Sequence, residues 1–230
     1  MGYTHYWRIP VQALPLVGER LPAIVGDFRK LLPHLPPLAG PLGKGGPEFG
    51  PEEVAFNGPE PEDYEAFVFP GLLRGGEPFV SEDFPEEHFA FCKTGYRPYD
   101  LAVTAFLLVA KFHLGDLLQV RSDGDISEWT PAADLVERVL RLPVDLMGVL
   151  GVGLVLVEDG EGRRFLLEEG LDPLPEGEGT VKHLEQLERF LPWWPFRGPY
   201  RILGEAKASR EELGERIFSG VYLLPASQAG

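Results

Sequence analysis

Cysteine occurs once in these 230 residues, methionine twice and asparagine once, at Asn57. A single cysteine excludes an intramolecular disulfide, and with it the stapled scaffolds of small secreted domains. So few thermolabile side chains give the composition a thermophile-like cast. Cations are scarce too: 21 Lys and Arg stand against 36 Asp and Glu, a formal net charge of -15. That balance argues against duplex nucleic acid as a partner, because such binding runs on neutralising phosphates with Lys and Arg. Long apolar runs are also missing. The longest, Leu101–Ala110, is interrupted by Thr104 and followed by Lys111, well short of the roughly 18 to 20 residues of a membrane span. No membrane partner is expected. The first residues lack the basic start and apolar centre of a signal peptide, so the cytoplasm is the expected location.

Glycine and proline are plentiful, at 28 and 23 residues, and imply many turns in an otherwise ordinary composition of 44% hydrophobic residues. The length suffices for one domain with a buried core and a smaller addition. Charge is unevenly placed. Glu48–Glu87 carries twelve acidic residues against one basic, Arg74, whereas His88–Arg121 carries four basic against two acidic. The first stretch reads as solvated loops, and the second could receive a small anion. Asn57-Gly58 reads as a turn pair, since both residues tolerate positive φ.

Alternation over Tyr3–Ile9 predicts a strand with Tyr3, His5 and Trp7 on one face. Ile24, Phe28, Leu31 and Leu35 recur at helical spacing and Pro22 suits a first turn, so a helix is expected from Pro22 to Leu32. A Pro/Gly-rich loop precedes short strands near Glu53–Phe56 and Tyr64–Phe69, read as antiparallel neighbours. Phe89–Lys93 reads as a strand, and Leu101–Leu114 as a helix so apolar that it should be central. Leu117–Arg121 is a further strand, and Thr130-Pro131 reads as the cap and first turn of a helix to about Leu140.

The pattern changes between Pro143 and Gly151. We therefore expect a main α+β domain over 1–145, with a mainly antiparallel sheet packed against helices, and a smaller α+β extension over 146–230. In the extension, Val152–Val157 and Arg164–Glu168 flank Asp159-Gly160-Glu161-Gly162 as a hairpin. Thr180–Leu191 has helical spacing, and Ser209 with Glu212 has the spacing of a capping box before a helix through Ser219.

Four motifs occur in order: Met1-Gly2-Tyr3-Thr4-His5-Tyr6-Trp7, Phe56-Asn57-Gly58, Phe91-Cys92-Lys93-Thr94 with Pro98-Tyr99-Asp100, and Ser122-Asp123-Gly124-Asp125. Together they resemble a family of uncharacterised bacterial and bacteriophage proteins over residues 1–142. Members of that family end after the helix that follows the Ser-Asp-Gly segment, so the resemblance makes the residues from about 146 onward an extension. It implies no activity. Gly95 and Tyr96 stand where the family has an Ala-Arg pair, which weakens any anion role needing that arginine.

Cys92 has Lys93 and Arg97 nearby and a helix start downstream, surroundings that lower a thiol pKa and expose a nucleophile. Alternation places it on the face opposite Phe89, Phe91 and Lys93, which favours a buried, inert thiol instead. Lys93, Thr94 and Arg97 before a helix supply the ingredients of an anion site, without the spacing of a phosphate-binding loop motif. Asp123 and Asp125 could offer oxygen ligands to Mg²⁺ or Mn²⁺, or simply make a turn. His5 could act as a base if Asp100 or Asp123 reached it, and a structural strand histidine is the plainer reading. No His/Cys spacing supports zinc, and no cofactor is specified.

Two functions compete. In the first, the main domain binds a small anionic, nucleotide-like ligand: Lys93, Thr94 and Arg97 hold the anion, Asn57 adds a directional hydrogen bond, and Asp123 or Asp125 holds a metal or a hydroxyl. An enzyme would add His5 or Cys92. In the second, the chain is a non-catalytic protein-interaction module whose acidic surface and Trp193-Trp194 segment meet a protein partner.

Overall fold

From its N-terminal end the chain forms β1 (Thr4–Pro10), α1 (Leu14–Leu31), β2 (Glu48–Phe49), β3 (Val54–Phe56), β4 (Phe67–Phe69) and β5 (Glu87–Lys93). Next come α2 (Asp100–Leu114), β6 (Gln119–Ser122), α3 (Ile126–Leu140) and α4 (Leu146–Leu150). The hairpin β7 (Val152–Glu158) and β8 (Arg164–Gly170), α5 (Glu178–Phe190), β9 (Arg201–Ala206), β10 (Arg216–Phe218) and β11 (Val221–Leu223) complete it. This is a computed structural model, and it describes residues 3–170 and 178–224. Met1 and Gly2 of the first motif lie outside the described residues. The class is α+β with antiparallel sheets, and the chain forms two compact units: residues up to Gly124 with Glu128–Leu150, and Asp125–Ser127 with Gly151 onward.

In the first unit β1 is the central strand of a β5-β1-β6 sheet, with Tyr6 opposite both Phe91 and Arg121 and Arg8 opposite Phe89 and Gln119. His5, Trp7 and Ile9 are buried on the inner face, with His88, Ala90 and Cys92 of β5 beside them. Trp7 packs on Phe67 and Phe69 of the small β2-β3-β4 sheet. Phe106 of α2 is the hub of this core: its ring lies 5.1 Å from Phe28 and 5.2 Å from both Phe67 and Phe69. α2 buries residues on all its faces, as its composition predicts.

Polar groups in this core are paired. One carbonyl, that of Pro70, accepts from both Trp7 Nε1 at 2.9 Å and His88 Nε2 at 2.8 Å, while His88 Nδ1 accepts the Phe79 amide. Gly71 follows with φ +90, where an added Cβ would meet the Ala90 side chain at 2.8 Å. Only glycine fits that approach.

Three helix ends depart from expectation. α1 starts at Leu14, with Pro15 in its first turn and Pro22 in its interior. Pro22 is exposed and its i−4 partner is Gly18, so the carbonyl it leaves unpaired lies on the solvent side with no side chain to crowd the ring. α3 starts at Ile126, four residues before Thr130, and Pro131 lies inside it. The helix expected after Ser209 is a single 3-10 turn, Arg210–Glu212, followed by the hairpin β10-β11. Glu212 does accept the Ser209 amide at 2.7 Å. A capping box fixes only a first turn, and it does not carry a helix onward.

The second unit is a β10-β11-β8-β7-β9 sheet, and Leu184 and Leu187 of α5 join Val157, Phe165, Trp194, Phe196 and Tyr200 in its core. Phe165 stacks on Phe196 at 4.0 Å, and Trp194 Nε1 donates to Tyr200 Oη at 3.0 Å.

Because Phe106 joins α1, α2 and the small sheet, Phe106→Ala should cost ~3–5 kcal/mol of unfolding free energy, measured by urea titration. A loss comparable to that of a surface substitution would show that the aromatic cluster is not the centre of this core.

Candidate functional site

His5 has no exposed surface and both ring nitrogens are engaged. Nδ1 lies 2.9 Å from Ser122 Oγ and Nε2 2.8 Å from Asp100 Oδ1. Ser122 Oγ already accepts Trp129 Nε1–H at 3.1 Å and the Gly124 amide at 2.8 Å. A hydroxyl has two lone pairs and one proton, so Ser122 donates to Nδ1 and the imidazole carries its proton on Nε2, facing Asp100. Thr94 Oγ1 donates to the same Asp100 oxygen at 2.5 Å. The rings of Tyr3 and Trp129 stand edge-on to the imidazole at 5.0 and 5.2 Å. Serine, histidine and aspartate meet here as in a hydrolytic triad, but the serine has no lone pair left for attack and the ring is sealed. Asp100 does reach His5, and the arrangement serves as a buried strut.

The expected anion loop is closed by its own protein. The amides of Thr94 and Gly95 donate to Tyr3 O at 3.0 and 3.2 Å, that of Arg97 to Thr94 O, and that of Lys93 to the Glu65 carboxylate at 2.9 Å. Thr94 is fully buried, and Arg97 is paired with Glu62 at 3.3 Å. Tyr96, at φ 60, stacks on Tyr3 at 4.0 Å. Of the loop's three candidates only Lys93 is unengaged through its side-chain nitrogen, which lies 6.0 Å from the Tyr64 ring.

Asn57 is spent as well. Its Nδ2 donates to Pro41 O and Tyr64 O, and its Oδ1 accepts the Gly58 and Tyr64 amides, all within 3.1 Å. That is its full capacity, so this asparagine holds the 41–64 loop together and offers nothing to a ligand. Neither Asn57 nor Gly58 has positive φ. Glycine is required at 58 because a Cβ there would lie 2.4 Å from Glu62 O. Cys92 is buried with Sγ 3.5 Å from Glu65 O, and burial, with the Glu65 charge, pushes its thiol far above the ordinary value. A buried thiol held protonated lacks the thiolate that nucleophilic attack requires.

Asp123 and Asp125 do not act together. Asp123 is exposed beside β1, its Oδ2 accepting the Thr4 amide at 3.0 Å. Asp125 is buried in the second unit, where it accepts Arg216 Nε at 2.7 Å, the Gly220 amide at 2.9 Å and Ser127 Oγ at 2.6 Å. Among the described residues no three His, Cys, Asp or Glu side chains cluster to hold a metal. Close to Asp125, Glu168 accepts the Ile126 amide and the Tyr222 hydroxyl on one oxygen, and burial pushes its carboxyl up to about 7.

The feature sequence reasoning missed is the outer face of the first sheet. Tyr6, Phe89 and Phe91 lie there side by side, with ring centroids 6.1 to 6.5 Å apart, and Phe91 is 52% exposed. Arg8 sits 3.8 Å over the exposed ring of Phe84 and 3.7 Å from Glu87. Lys93, opposite Thr4 on one side, and Asp123, bonded to the Thr4 amide on the other, flank the rings. Two strand spacings separate their backbones, about 10 Å. The signal was available: the alternation that buries Cys92 also turns two phenylalanines outward.

Glu168 ionises less readily folded than unfolded, so its ordinary value near 4.5 and its folded value of about 7 define a pH window. Below that window both states are protonated. As pH rises through it the unfolded chain releases its proton first, and stability falls. Thermal melts across the window should show this fall in the parent and a smaller one in Glu168→Gln. Parallel curves would refute it.

The chain matches no protein-family model, no curated protein and no solved structure.

Proposed function

We propose that the first unit binds a small anionic, nucleotide-like ligand on the outer face of the β5-β1-β6 sheet. The observation that carries this reading is the contiguous tile of Tyr6, Phe89 and Phe91 on a solvent-facing sheet, bordered by cations. A flat base stacks on such rings without needing a pocket, and stacking is worth ~1–3 kcal/mol per base. Lys93 and Arg8 border the tile as partners for a phosphate, and Asp123, with lone pairs to spare, accepts from a sugar hydroxyl. This keeps Lys93 and Asp123 from the sequence-based site and leaves out Asn57, Thr94 and Asp125, whose polar groups are consumed internally, and Arg97, which is paired with Glu62. A small ligand suits a chain of charge -15 better than a long polyanion, which would be repelled along its length.

A second reading, the protein-interaction module, draws on the second unit. Trp194 is buried, but Phe190 and Trp193 are 71% and 56% exposed, and large apolar side chains this open mark contact surfaces when they cluster. Trp193 lies 5.9 Å from Phe218.

Titrating AMP and adenosine into ring-labelled protein separates these readings. Shifts should concentrate on Tyr6, Phe89 and Phe91, AMP should bind more tightly than adenosine, and Phe91→Ala should weaken AMP about tenfold or more. Ring signals that do not move with either compound would remove this proposal and leave the exposed tryptophan surface as the better lead.

A further inference from the structure

On a different part of the first unit, α2, α3 and the segment leading into α4 line an open cavity of about 290 Å³. That is at the small end of ligand sites, which run from roughly 300 to 1,000 Å³. Its walls are apolar, from Leu108, Phe112, Val136, Leu142, Val144 and Val149, and Phe112 at the rim is 51% exposed. Polar groups are few. Asp145 accepts the Gly148 amide at 3.1 Å and so caps α4, and Asp116 lies in the wall near Lys111. Lys111 is half-buried and donates one N–H to Leu118 O at 2.8 Å. Its ammonium has two further donors and no carboxylate within ion-pair distance among the described residues.

We propose that this cavity binds a small apolar carboxylate, its hydrocarbon part against Leu108, Val136 and Val149 and its carboxylate paired with Lys111. An amine set among apolar walls discriminates by charge: it welcomes an anion, tolerates a neutral group and rejects a cation. Burial lowers the Lys111 pKa, and an arriving carboxylate offsets that penalty. Asp116 and Asp145 also line the cavity, but both are exposed, so solvent screens their charges, and Asp145 accepts the Gly148 amide at the helix end.

Octanoate, octanol and octylamine, matched in chain length, test this on the intact chain with methyl-labelled leucine and valine. Octanoate should shift Leu108, Val136 and Val149, octanol should bind about tenfold more weakly, and octylamine should not bind. Lys111→Met, which keeps the length of the side chain, should bring octanoate down to the level of octanol. Equal affinities for octanoate and octanol in the parent protein would overturn the proposal, as would methyl signals that ignore octanoate. Because the ligand series is run on the unaltered chain, the outcome stands even if the variant folds poorly.

Discussion

A fully buried imidazole joins three elements of the first unit: β1 supplies His5, the start of α2 supplies Asp100 and the end of β6 supplies Ser122. Removing any one partner leaves a polar group stranded in a low-dielectric interior, which costs ~1–3 kcal/mol for each unmet hydrogen bond. The network therefore fixes more than its own geometry. It sets where α2 begins, and so where Phe106 enters the aromatic core six residues later.

The same network sets what the outside of the sheet looks like. Successive residues of a strand point to opposite faces, so holding His5 and Trp7 inward necessarily holds Tyr6 and Arg8 outward. β5 is locked in the same sense by His88, whose two nitrogens are both used, and this turns Phe89 and Phe91 outward beside Tyr6. Inner polar struts and outer ring tile are two consequences of one register. A slip by one residue would strand the histidines in water and drive the outer residues into the core.

Sequence and structure agree where the information is local. The alternation of β1 and β5, the largely apolar α2 and the Asp159–Gly162 hairpin are each legible because period and turn chemistry determine them. The start of α1 was not, since an exposed proline four residues after a glycine is tolerated inside a helix that six buried residues hold in place. Nor were β9 and β11, whose partners β7 and β8 are far away in the chain, or β10, which pairs only with β11. The candidate site was misread for a related reason. Asn57, Thr94 and Arg97 have the right chemistry for a ligand, but their hydrogen-bond partners come from loops and side chains that no spacing rule reveals. Asp100 lies 95 residues from His5, so that pair was conceivable from sequence and its burial was not.

β1 is locked by a histidine that carries its proton on Nε2 and accepts on Nδ1. Long-range ¹H–¹⁵N correlation of the five histidine side chains tests it directly. His5 should show a pyridine-type Nδ1 and an Nε2–H that exchanges slowly with solvent, the signature of a sealed hydrogen bond to Asp100. A protonated Nδ1, or an Nε2–H lost to rapid exchange, would rule out this lock, because Ser122 would then lack its acceptor and the register of the sheet would have lost its anchor.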